Sequence, residues 1–367
     1  MGLGVHITLF HTFPYPGQHQ AVLDGFATGF LILNILLFLA MTAATIMRYW
    51  MYPAIWNQML NHPVQSLYVG CYPMALATII NGLTIEAYQR YHIAGTGFLY
   101  FIWGLWWIDL ALSLTCSLGM FYIMITRHKQ DTSTTFSIWL LPIVPNIVAG
   151  TSGCIVAKAL APVNQHLSFL TTLVSACGLA LGLTMSLPIL VLYIQRLILH
   201  GFPAKGTSIS VFLPLGPLGQ GGYGLILVGN LLVDLLPHAT SQSDYLATPG
   251  ISDALSAVLF LFSVTLWVFG IWFLIPAVLL LMRSRGIPFG VHWWGLIFPS
   301  GVYAVLTLGL AQKLHSSFLN IIGTIYTASV FIMFTAIATR TILSMREGSM
   351  FSAPCLSEYV ATKADDE

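Results

Sequence analysis

Apolar residues run along this chain in long stretches separated by short polar breaks. Nine stretches, at about 21–47, 65–87, 97–126, 137–158, 168–197, 209–236, 253–282, 291–312 and 317–344, are long enough to cross a membrane. Each supplies roughly the 20 apolar residues a helix needs to span a hydrocarbon core of about 30 Å. A half-length apolar run occupies residues 1–12. At about 1.5 Å per residue it reaches roughly 18 Å, so it is expected to be the end of a first helix whose other half is missing. The pattern predicts ten transmembrane helices, the first of them truncated.

Prolines fall unevenly among these spans. Counting the half-run as the first, the third carries Pro73, the fifth Pro142 and Pro145, the seventh Pro214 and Pro217, and the ninth Pro299, each a little before mid-span. Gly2 and Gly4 stand at the matching place in the first. Of the even spans, the second, fourth and tenth have no internal proline, while Pro188 and Pro276 lie in the cytoplasmic halves of the sixth and eighth. A proline inside a helix frees a carbonyl and kinks the rod, which lipid does not tolerate unless protein or a water-filled cavity receives the freed group. The alternation predicts an all-α polytopic membrane protein of five helical hairpins, its odd helices around a central pore and its even helices outside them.

Composition agrees: 57% of residues are hydrophobic and 7% charged, against roughly 25% charged in a soluble domain. A net charge of +1 offers nothing to nucleic acid. Ten of the thirteen Lys and Arg (Arg48, Arg127, Lys129, Arg196, Lys205, Arg283, Arg285, Arg340, Arg346, Lys363) follow even spans, whereas Arg90, Lys158 and Lys313 follow odd ones. The positive-inside rule then places both termini in the cytoplasm. Residues 1–344 form the expected membrane domain, and 345–367, ending in 364-ADDE-367, a disordered cytoplasmic tail.

The chemistry inside the spans is sparse. There is no nucleophile elbow, no H-E-x-x-H, no P-loop, and no Cys/His spacing for a metal, so neither an enzyme nor a cofactor or metal site is expected. Asp109 stands alone in the middle of the fourth span, suited to a helix–helix hydrogen bond or to proton coupling, and His292 is a second titratable candidate for those roles. A pathway with so few ionisable groups suits a neutral or anionic solute better than a metal cation. Helix breaks can hold an anion through backbone amides and the positive ends of half-helices. The residues expected to line such a pore are Gly4, Gly70, Pro73, Pro145, Asn146, Pro214, Gly216, Pro217, Gly219 and Gln220. Phe298, directly before Pro299, is placed to project from the break as a gate.

Three segments carry a family resemblance: 62-HPVQSLYVGCYPMALATIIN-81, 103-WGLWWIDLALSLTC-116 and 212-FLPLGPLGQGGYGL-225. With 293-WWGLIFPSG-301, they are similar to the tellurite-resistance/dicarboxylate transporter superfamily, which includes the plant slow anion channels, and most similar to its fungal sulfite efflux branch. The resemblance implies ten helices in five hairpins, a pore in each subunit of a homotrimer, and occlusion by the phenylalanine of the F-P pair, here Phe298. It further implies a plasma-membrane exporter of a small inorganic anion, sulfite or bisulfite, relieving its toxicity. The alternative within the same fold is a C4-dicarboxylate permease for malate, against which the absence of a mid-pore Arg or Lys weighs. A membrane-embedded enzyme is the third reading.

Overall fold

A computed structural model describes residues 1–15, 17–128, 136–203, 205–239, 248–283 and 286–348. Lys129, Arg285, Lys363 and the tail from residue 349 lie outside the described residues. Among the described residues the regular structure is helical, with eleven α-helices: α1 Gly2–His11, α2 Gln20–Met51, α3 Pro53–Asn61, α4 Cys71–Gly82, α5 Gly95–Thr126, α6 Val144–Leu160, α7 Gln165–His200, α8 Leu215–Ala239, α9 Ile251–Arg283, α10 Ile297–Lys313 and α11 Ser317–Arg346. Among the described residues, eight helical segments are long and apolar enough to cross a membrane, and α6 is a shorter apolar helix. The short α3, started by Pro53 in its first turn, was not expected from the apolar pattern.

In the third, fifth, seventh and ninth spans the prolines do not kink continuous α-helices, whereas Pro188 and Pro276 lie inside α7 and α9. Gln65–Gly70, Ser137–Leu140, Lys205–Phe212 and Val291–Leu296 are 3-10 segments, and they lead into α4, α6, α8 and α10. Pro73, Pro145, Pro217 and Pro299 each occupy the first turn of the α-helix that follows. There the missing N–H has no intrahelical acceptor to lose and the fixed φ is already helical. Proline also disfavours α geometry in the residue before it. The breaks are therefore starts of α-helices rather than mid-helix kinks.

Burial separates two classes of helix. In the most apolar window of α2, α5, α7, α9 and α11, 11–39% of residues are buried, against 61–89% for the segments containing α4, α8 and α10. Contacts follow the same division. The helix α1 packs on α4 and α10, α6 packs on α4 and α8, and α8 packs on α10, which closes an inner ring. Each inner helix also packs on the outer helix that follows it in sequence, except that α4 is followed first by a π-helical turn, Leu83–Arg90, before α5.

Hydrogen bonds pin the outer layer to the inner one. Trp106 Nε1 donates to the Ala149 carbonyl at 2.9 Å, Ser263 Oγ to the Gly222 carbonyl at 2.8 Å, and Trp267 Nε1 to Thr307 Oγ1 at 2.9 Å. Where apolar surface meets lipid and gains little from burial, such bonds and close packing hold helices together. At the end of the π-helical turn, Arg90 pairs with Asp24 of α2 at 2.8 Å and with the buried Glu86.

Gly70 marks one of the closest approaches. A Cβ there would lie 2.1 Å from the Leu141 carbonyl oxygen and 3.0 Å from Pro142 Cα. Backbone cannot rotate away as a side chain can, so Gly70→Ala is expected to destabilise by at least the ~1–3 kcal/mol typical of overpacking. Thermal unfolding of the detergent-solubilised variant measures it.

Candidate anion pathway

The inner ring encloses a small cavity to which all five of its helices contribute. Gly4, Val5 and Thr8 come from α1, Thr78 and Asn81 from α4, Val148, Thr151 and Ile155 from α6, Gln220 and Tyr223 from α8, and Phe298, Val302 and Val305 from α10. Gly2 and the prolines mark this register. Counting from Gly2, Pro145, Pro217 and Pro299, the residues three and six positions on are Val5 and Thr8, Val148 and Thr151, Gln220 and Tyr223, and Val302 and Val305. Positions three apart share a helix face, so each of these four helices presents its two positions inward on one face. In α4 the phase slips by two, and Thr78 and Asn81 take these places.

The cavity volume is about 20 Å³, room for about one water molecule. Phe298 lines it and is 6% exposed. The lining carries no Asp, Glu, Lys, Arg or His. Its polar character comes from hydroxyls and amides, two of which are committed to the protein. Thr78 Oγ1 donates to the Ala75 carbonyl at 2.8 Å and accepts from Asn34 Nδ2 at 3.2 Å. Thr151 Oγ1 donates to the Ile147 carbonyl at 2.9 Å and lies 3.2 Å from the Gln220 carbonyl. The side-chain amides of Asn81 and Gln220 make no hydrogen bond among the described residues, although both are more than nine-tenths buried, and Asn81 Oδ1 is enclosed without a partner.

Of the residues expected in the pore, the structure brings Gly4, Gln220 and Phe298 together at this cavity. Gly4 is there because a Cβ would lie 2.3 Å from Thr78 Cβ, so it lets α1 close on α4. Pro73, Pro145, Pro214, Pro217 and Pro299 are buried at the helix starts, outside the lining. Gly216 is near that break too, its Cβ position 3.9 Å from Pro299. Gly70 and Gly219 sit instead at backbone contacts between neighbouring segments. Asn146 is fully buried in the first turn of α6, with neither amide atom hydrogen-bonded, but it does not line the cavity.

Neither titratable candidate adjoins the cavity. Asp109 is fully buried on α5, with no partner for either oxygen among the described residues, and the neighbouring Trp106 gives its N–H to the Ala149 carbonyl. His292 lies half-buried on the 3-10 segment before α10. His6 of the inner helix α1 is enclosed by Phe10, Phe30, Phe331 and Phe334, the nearest ring centroid at 4.7 Å.

A profile of the family described as voltage-dependent anion channel matches residues 1–342. The chain belongs to the voltage-dependent anion channel family. Within it, the sulfite efflux pump of Trichophyton rubrum is 32% identical over 344 residues, 93% of this chain and 88% of the relative. The pump of the same name from Arthroderma benhamiae is also 32% identical, with the same coverage. More distantly, the malic acid transport protein of Schizosaccharomyces pombe is 22% identical over 80% of this chain and 65% of its own. A voltage-dependent anion channel fold accounts for a buried ring whose lining is polar but uncharged: this is a multi-pass membrane protein of an anion-transporting family, not of an enzyme family.

Proposed function

We propose that this protein exports sulfite across the plasma membrane through the inner ring, with Phe298 as the gate. The carrying observation is the small cavity shared by all five inner helices, lined by the unpaired amides of Asn81 and Gln220 and by the rings of Phe298 and Tyr223. Ten membrane helices then form five hairpins, α1 making the first inner element, with both termini cytoplasmic and one pore per subunit of a homotrimer. Each inner α-helix begins on the same rim of the ring, so its positive end contributes to anion binding without a fixed cation. The names of the relatives point to sulfite.

Malate is the second reading, favoured by the more distant malic acid transport protein. Two carboxylates call for fixed cationic donors, and the lining has none. The deciding experiment measures efflux from proteoliposomes loaded with sulfite, malate or chloride. Sulfite is expected to leave fastest, and malate leaving faster than sulfite would sink the reading.

A further inference from the structure

The lining poses an electrostatic and hydrogen-bonding problem for the solute that passes it. No cation faces the cavity, so charge must be held by neutral dipoles alone, and the desolvation cost of an ion rises with the square of its charge. A dianion is about four times as costly to desolvate as a monoanion of similar size. Hydrogen bonding points the same way. Asn81 offers an acceptor as well as donors, and its enclosed Oδ1 has no partner. An acceptor-only solute would set its own lone pairs against that oxygen and leave it unsatisfied, which costs about as much as a lost hydrogen bond.

Resting on the sulfite reading above, we propose that the permeating species is the protonated monoanion, hydrogensulfite, and that Asn81 recognises its proton. Asn81 Oδ1 accepts the hydrogen bond of the solute hydroxyl. Asn81 Nδ2 and Gln220 Nε2 donate to its remaining oxygens from α4 and α8. The two amides stand on different helices of the ring, both lining the cavity and both without a protein partner among the described residues. Fully deprotonated sulfite has no proton to offer and carries twice the charge, so the same site disfavours it twice over.

The lining itself contains one titratable side chain, Tyr223. The elements packed on α4 bring His6 and His11 from α1, Asp24 from α2, Asp109 and Cys116 from α5, and Cys154 with Lys158 from α6, while Cys71 and Tyr72 belong to α4 itself, Tyr68 precedes it and Glu86 and Arg90 follow it. None of these other groups lines the cavity. The test must therefore separate titration of the solute from titration of the protein.

The test uses sulfite-loaded proteoliposomes of the full chain, corrected for leak from protein-free vesicles. In one series across neutral pH, total sulfite is adjusted so that hydrogensulfite stays constant while the dianion rises; in the other, the dianion is held constant. Flux is expected to be flat in the first series and to follow hydrogensulfite in the second. Flux that rises with the dianion, or that changes with pH at constant hydrogensulfite, overturns the proposal and leaves sulfite export standing. No protein-dependent sulfite flux at any pH overturns both. Asn81→Leu, similar in size but with no donor or acceptor, is expected to lower hydrogensulfite flux about tenfold or more, the scale of losing a hydrogen bond to a charged group. A folded Asn81→Leu protein with unchanged flux also overturns the proposal, and the wild-type pH series decides it even if that variant does not fold.

Discussion

Phe298→Ala is expected to raise sulfite efflux from loaded proteoliposomes about tenfold, equivalent to lowering the limiting barrier by about 1.4 kcal/mol. Only Phe298 and Tyr223 put an aromatic ring on a cavity of about 20 Å³, and Phe298 stands at the end where α10 begins. An apolar ring in a constriction blocks passage sterically and also by excluding water. Truncating it removes both barriers. The same ring belongs to the buried apolar core, with Val5, Leu296 and Val302 in the same cluster, so alanine also lowers stability, within the ~3–5 kcal/mol seen for fully packed phenylalanines. Phe298→Leu keeps most of that packing and should give an intermediate flux with a smaller loss of stability. Unchanged flux through both folded variants would remove Phe298 from the gate.

The plan of the molecule is legible in its sequence because membrane crossing makes a demand of length and apolarity that ordinary composition rarely meets. Pro73, Pro145, Pro217 and Pro299 all fall on the more buried helices that pack in a ring, whereas Pro188 and Pro276 fall inside the less buried α7 and α9. What the prolines do locally was less legible. A proline within a long apolar run reads as a kink, whereas here it follows a 3-10 segment and opens an α-helix.

The lining was visible only where a residue stood near such a start. Gly4, Gln220 and Phe298 were reached that way. Thr8, Thr78, Asn81, Thr151 and Tyr223 were not, because in an apolar span a threonine or asparagine looks like any other tolerated polar residue. The usable signal was the common register, three and six positions after each break, which applies directly to four helices and slips by two in α4. Glycines were the least legible. Gly4 and Gly219 look alike in sequence, yet one admits a helix beside the cavity and the other a backbone behind it, and only the neighbours' positions tell them apart.

Gly219 carries the second large effect. A Cβ at this position would lie 2.6 Å from Tyr303 N, 2.7 Å from Tyr303 Cα and 2.8 Å from Val302 C. All three are main-chain atoms of α10, so relief requires α8 and α10 to part. On its other side α10 has little slack: the Tyr303 hydroxyl donates to the Trp267 carbonyl of α9, and the Tyr303 ring lies where a side chain on Gly270 would be, with Cε2 2.2 Å from that Cβ position. Gly219→Leu is therefore expected to abolish transport by displacing the helix that carries Phe298 and Val302. The smaller Gly219→Ala distinguishes packing from solute contact. If the glycine serves helix approach, even one methyl lowers thermal stability in detergent by about 1–3 kcal/mol and transport falls with it. If instead Gly219→Ala melts like the wild type but no longer passes sulfite, the glycine meets the solute directly, and the pathway runs between α8 and α10 rather than through the cavity that Asn81, Gln220 and Phe298 share.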